Sequence, residues 1–115
     1  MPLTDEDLER WWRDDGEREL CQLLYWRWDP IGVNDAFPRT AGEYDEYGGP
    51  VLTALREGAD AEQIARTLRR FESEEMELGS EPHVLHLDLG EAIVTWYHES
   101  QDLWTQRRDG PRGRG

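Results

Sequence analysis

Three histidines carry the most easily stated chemistry in this sequence. His83 and His86 stand three apart, His98 follows, and Glu91 lies between them; imidazole nitrogens with a carboxylate are a donor set for a divalent transition metal. A structural zinc site takes four such ligands, usually with thiolates, and a catalytic one takes three and an open position. His83 and His86 fall on SEPHVLHLDLG, whose Leu85, Leu87 and Leu89 alternate with His86 and Asp88, a period of two that suits a short extended or loop segment. That segment fixes no coordination geometry. A small metal-dependent enzyme or ligand-binding protein using the His83, His86 and His98 region is therefore an alternative reading, beside packing or solvated histidines that hold no metal.

Other catalytic arrangements are weaker. Asp14 with Asp15 and Asp45 with Glu46 are adjacent pairs, and adjacent positions on a helix do not face one another, whereas acid–base work needs two carboxyls in different environments. The sequence holds no GxSxG, phosphate loop, dinucleotide fingerprint, HExxH or Cys–His nucleophile arrangement. The single cysteine, Cys21, sits among Leu20, Leu23 and Leu24 and reads as a small buried residue. The expectation is a protein that is not an enzyme, with no catalytic residue and no cofactor.

Aromatic and acidic residues point elsewhere. The chain has 115 residues, with six Trp, four Tyr and two Phe. Trp12, Trp28, Trp96 and Trp104 lie on apolar stripes that predict core positions. Tyr25, Trp26, Arg27 and Trp28 are consecutive, and a helix cannot turn all of them inward, so this stretch must expose at least one ring. Exposed Trp, Tyr and Arg are the types enriched at binding hot spots, which makes Trp11, Tyr25 and Trp26 candidate anchors for a partner.

Acids outnumber bases 26 to 13, a net charge of -13. The excess disfavours direct binding to nucleic acid and to an anionic membrane surface, both of which need clustered Lys or Arg. Residues 5–19 hold eight acids against three Arg, and Glu72, Glu74, Glu75, Glu77 and Glu81 form a run without a base. Each run is either a solvated face or a surface that meets a basic partner.

The elements that must position these residues are helical. A capping residue followed three positions later by an acid or amide occurs at Thr4, Asp14, Thr40, Asp60 and Asp88, each before an apolar stripe. Leu8, Trp11 and Trp12 open the first stripe, Leu20, Leu23, Leu24 and Trp28 continue it, and Asp15-Gly16 predicts a break between. WDPIGVNDAFPR reads as an ordered loop with apolar anchors, Gly48, Gly49 and Pro50 predict a kink or restart, and Gly58 predicts a helix cap. Ala61, Ile64, Ala65, Leu68 and Phe71 line one later face, and Leu89, Ala92, Ile93, Trp96, Tyr97, Leu103 and Trp104 the last. The expected architecture is all-α: a compact bundle of four to five helices with an ordered WDPIGV loop. Residues 1–106 form a single helical domain, and 107–115 form a disordered basic tail.

WDPIGV at 28–33, EYDEY at 43–47 and VLTALREGADAEQIARTLRRFESEEMELG at 51–79 resemble a small bacterial family of unknown function with a WDPIGV signature, a DEYD-like element and a following helix pair. Here Gly42 precedes Glu43-Tyr44-Asp45 where the family usually has an Asp. The resemblance implies a small cytoplasmic helical protein of bacteria and no catalytic residue. Read physically, Trp28, Asp29, Tyr44 and Asp45 would meet where the loop joins the next helix, either fixing the loop or forming a surface.

The functional expectation is a non-enzymatic acidic protein that binds and occludes a basic protein partner, of immunity, antitoxin or inhibitor type. Carboxylates of the first helix and the run with Glu72, Glu74 and Glu75 would steer association, with Trp11, Tyr25 or Trp26 as anchor. An accessory subunit is the third reading. MPLTDEDLER lacks the basic and apolar regions of a signal peptide, and no stretch approaches the length of a membrane span, so a cytoplasmic location is expected.

Overall fold

Thr4 opens the first helix by accepting the Asp7 amide on its hydroxyl at 3.1 Å, with Asp5, Glu6 and Asp7 at the positive end of the helix dipole. In a computed structural model that describes residues 3–28, 37–39, 42, 44–72 and 86–109, this helix does not stop at Gly16. It runs through Asp5–Trp11, a π-turn at Trp12–Gly16, Glu17–Leu23 and a second π-turn at Leu24–Trp28, which together are α1.

The expected break, and the expected start at Asp14, give way for a packing reason. Gly16 keeps helical backbone, φ -62° and ψ -47°, and a Cβ there would lie 2.9 Å from the Trp11 and Trp12 rings. Its missing side chain makes room for two indoles. Each π-turn accommodates one extra residue. In a regular α-helix Leu8 and Leu20 would point about 120° apart, and the extra residue reduces this to about 20°. The same device at 24–28 brings Trp28 back over Leu20. One face therefore buries Leu8, Trp11, Leu20, Leu24, Tyr25 and Trp28.

A 3-10 turn at Asp45–Tyr47 leads into α2, Gly48–Arg56, which is the restart that Gly48-Gly49-Pro50 predicts. Pro50 sits in the first turn, where a missing N–H costs no helical hydrogen bond. Gly58, at φ 91°, closes α2: its amide donates to the Leu55 carbonyl, and the Ala59 amide donates to Ala54, both at 3.0 Å. Asp60 then caps α3, Ala61–Arg70, accepting the Gln63 amide while the Gln63 side chain accepts the Asp60 amide, each at 2.9 Å.

The last helix, α4, spans Leu87–Asp109. It takes in residues 107–109, which the sequence assigns to a disordered tail. Arg107 pairs with buried Asp15, and Arg108 pairs with Asp7 at 2.9 Å, so α1 draws the helix end onto itself. The remainder of that tail lies outside the described residues, as does most of the WDPIGV loop.

All described elements are helices or turns, with no strand among the described residues, and the fold is an all-α bundle of four helices. Its core gathers Trp11, Leu20, Leu24, Tyr44, Val51, Ile64, Leu68 and Ile93, all fully buried. α4 crosses the start of α3 so closely that a Cβ on Gly90 would lie 2.2 Å from the Ala61 carbonyl oxygen. α1 and α4 run antiparallel, tied by a polar ladder. Along it Trp104 Nε1 donates to Asp14 and Trp96 Nε1 to Glu19, both at 2.9 Å; Trp11 Nε1 donates to Ser100 Oγ at 2.9 Å, and Ser100 donates to Glu19 at 2.6 Å.

Candidate partner-binding surfaces

Among the anchor candidates the structure makes a clear division. Trp26 is 52% exposed, while Trp11 and Tyr25 are buried, at 0% and 3%. The exposed ring that YWRW requires is thus Trp26, with Arg27 exposed beside it and Trp28 buried. Trp11 is not an available anchor, because the π-turn and Gly16 draw its indole into the core to reach Ser100.

Trp28 and Tyr44 do meet, with ring centroids 5.4 Å apart, but both are buried, and Tyr47 and Phe71 pack around them. This aromatic knot fixes the start of the 3-10 turn to the end of α1. Asp45 is exposed at its edge. Glu72, expected on a solvated acidic run, is buried instead: it accepts Trp28 Nε1 at 2.8 Å and contacts His86 Nε2 at 3.0 Å. Its position one turn beyond Leu68 on the same face explains the burial. Asp29, Glu74 and Glu75 lie outside the described residues.

His83 also lies outside the described residues. His86 is committed to Glu72, and exposed His98 packs edge-on to its neighbour Tyr97. His86 immediately precedes α4 and His98 lies twelve residues on, about 18 Å at the helical rise, too far to share one ion. Among the described residues no three His, Cys, Asp or Glu side chains are placed to hold a metal.

Two of the grooves along α1 combine exposed large apolar side chains with charged ones. One, of about 480 Å³, runs beside it from Arg13 to Trp26, with Glu17, Arg18, Cys21 and Tyr25 along the helix and Phe37 and Asp45 opposite. Trp26 and Phe37 pack with ring centroids 5.3 Å apart and planes tilted by 45°, and Phe37 is 55% exposed. Cys21 lines this groove without reactivity: burial foremost, then the Asp45 and Glu17 carboxylates, push its thiol up to about 12. At neutral pH it is a protonated thiol and a poor nucleophile.

The other groove, of about 550 Å³, lies between α1 and α4. Leu23, Ala92, Trp96 and Leu103 give it apolar walls, and Glu19, Asp88, Glu91 and Glu99 line it with Arg27 as the single base. Glu19 is held by Trp96 and Ser100. Asp88, Glu91 and Glu99 are exposed.

Leu103 corrects an expectation, since the sequence places it on the core stripe and the structure leaves it 58% exposed. Helical angles show why: Leu103 points about 80° away from Ile93, while Trp104 points about 20° away. That arithmetic could have identified Leu103. Nothing local in the sequence pairs Phe37 with Trp26, which are eleven residues apart across the loop. No family model, no curated protein and no solved structure matches this chain.

Proposed function

We infer that this chain is a non-enzymatic interaction protein that docks a basic protein partner and occludes it, in the manner of immunity, antitoxin or inhibitor proteins. The observation that carries this reading is the α1–α4 groove, where an apolar floor is bordered by four carboxylates against one guanidinium. Apolar contact supplies affinity there, and complementary charge supplies orientation and speed of encounter. A net charge of -13 extends the attraction beyond the groove. A reducing, cytoplasmic setting suits the free thiol of Cys21. No helix is long and apolar enough to cross a membrane among the described residues.

The test is affinity capture with the full chain as bait, at about 50 mM and about 500 mM salt, where the screening length falls from about 14 to about 4 Å. A basic protein is retained at low salt and released at high salt. Glu91→Arg with Glu99→Arg abolishes its capture, whereas Glu9→Arg with Glu57→Arg, equal in net charge but away from the groove, leaves most of it. Capture indifferent to the first pair, or no basic protein at low salt, overturns the reading.

A further inference from the structure

We propose that the other groove, beside α1 from Arg13 to Trp26, is a self-association surface on which a second copy of this chain docks across a two-fold axis. The groove is polarised along its length. Its rings, Trp26 and Phe37, stand at one end, and Arg13 lies thirteen residues away at the other, about 20 Å along the helix. A two-fold axis through the middle of such a groove lays the aromatic end of each copy on the cationic end of its partner. Guanidinium over indole is a favourable contact, and the isologous arrangement forms it twice.

Charge selects the occupant. Two copies at -13 each repel, so they approach most readily through a face that is locally neutral. This groove holds Arg13 and Arg18 against Glu17 and Asp45, two charges of each sign, unlike the acidic α1–α4 groove, which two copies cannot share. Arg18 is already held by Asp15 at 3.3 Å and is 58% exposed, so its guanidinium is oriented before a partner arrives. Arg13 is exposed and makes no ion pair among the described residues. Two half-exposed rings per copy make a small contact, below the roughly 800 Å² per partner of a standard interface. The dimer is accordingly weak and concentration-dependent.

Sedimentation velocity of the full chain, from low micromolar to several hundred micromolar and at low and high salt, tests this. The expected result is a monomer that becomes a dimer with concentration. Added salt strengthens the dimer, because screening relieves the repulsion between the two anionic bodies. Trp26→Ala weakens association about thirtyfold and Arg13→Glu about tenfold, both without change in the helical signal since both side chains are exposed. Leu103→Ala leaves it unchanged. A monomer at every concentration and salt, or a dimer that survives both Trp26→Ala and Arg13→Glu, overturns the proposal. Basic-partner capture weakens with salt where self-association strengthens, so the failure of either reading is separable from that of the other.

Discussion

Trp28 and Glu72 show how single residues hold this molecule together. The indole N–H of Trp28 reaches the buried Glu72 carboxylate at 2.8 Å, and Trp96 and Trp104 make the same kind of bond to Glu19 and Asp14. Each bond joins residues far apart in sequence. It satisfies a donor that burial would otherwise leave unpaired and shields a carboxylate from its many like-charged neighbours. Trp28→Phe keeps most of the ring volume and removes the donor. Its expected cost is about 1 to 3 kcal/mol, seen as a lower Tm, and replacing Glu72 by Leu in the same chain recovers part of it, since the carboxylate then no longer needs a partner. The aromatic–acidic composition was plain in the sequence, but which acids serve the interior was not. Glu72 opens an acidic stretch that holds no base, and only its angular position after Leu68 separates it from the rest of that stretch.

At the scale of elements, the start of α1 and the caps of α2 and α3 were legible because they are local: Thr4, Gly58 and Asp60 bond to residues within four positions. The continuity of α1 was not. Gly16 carries the residue type of a helix break, yet its role is set by Trp11 and Trp12, whose rings occupy the space a side chain would fill. Gly90 has the same kind of role between elements. With 2.2 Å between its absent Cβ and the Ala61 carbonyl oxygen, the backbones of α3 and α4 leave no room for a methyl group. Gly90→Ala therefore forces the two helices apart at their closest point, with an expected loss of about 3 kcal/mol measured by urea unfolding. An unchanged midpoint would mean that this crossing relaxes freely.

For the whole molecule, the excess of acid is partly an internal resource. Of the eight acids in residues 5–19, Asp7, Asp14, Asp15 and Glu19 are engaged by α4, so the first helix offers less free charge than its sequence suggests. The basic end of the chain belongs to the same arrangement, because Arg107 and Arg108 close α4 onto α1. Ending the chain at residue 106 leaves Asp15 buried with one cation fewer. The expected outcome in thermal unfolding is a loss of about 1 to 3 kcal/mol, allowing for the exposure of Arg107, or about 5 to 15 °C in Tm. A dispensable tail would give no change.

The unequal exposure of the six indoles also gives the protein a built-in optical contrast. Trp26 is the one ring of the six that stands more than half in solvent, while the others are buried or half-buried. A water-borne collisional quencher therefore meets Trp26 first, and the emission it removes belongs largely to that ring. Whatever covers the groove beside α1 dims the quencher's effect, and whatever fills the α1–α4 groove leaves Trp26 in the light. The two faces of α1 can be followed separately in one cuvette, with no label added.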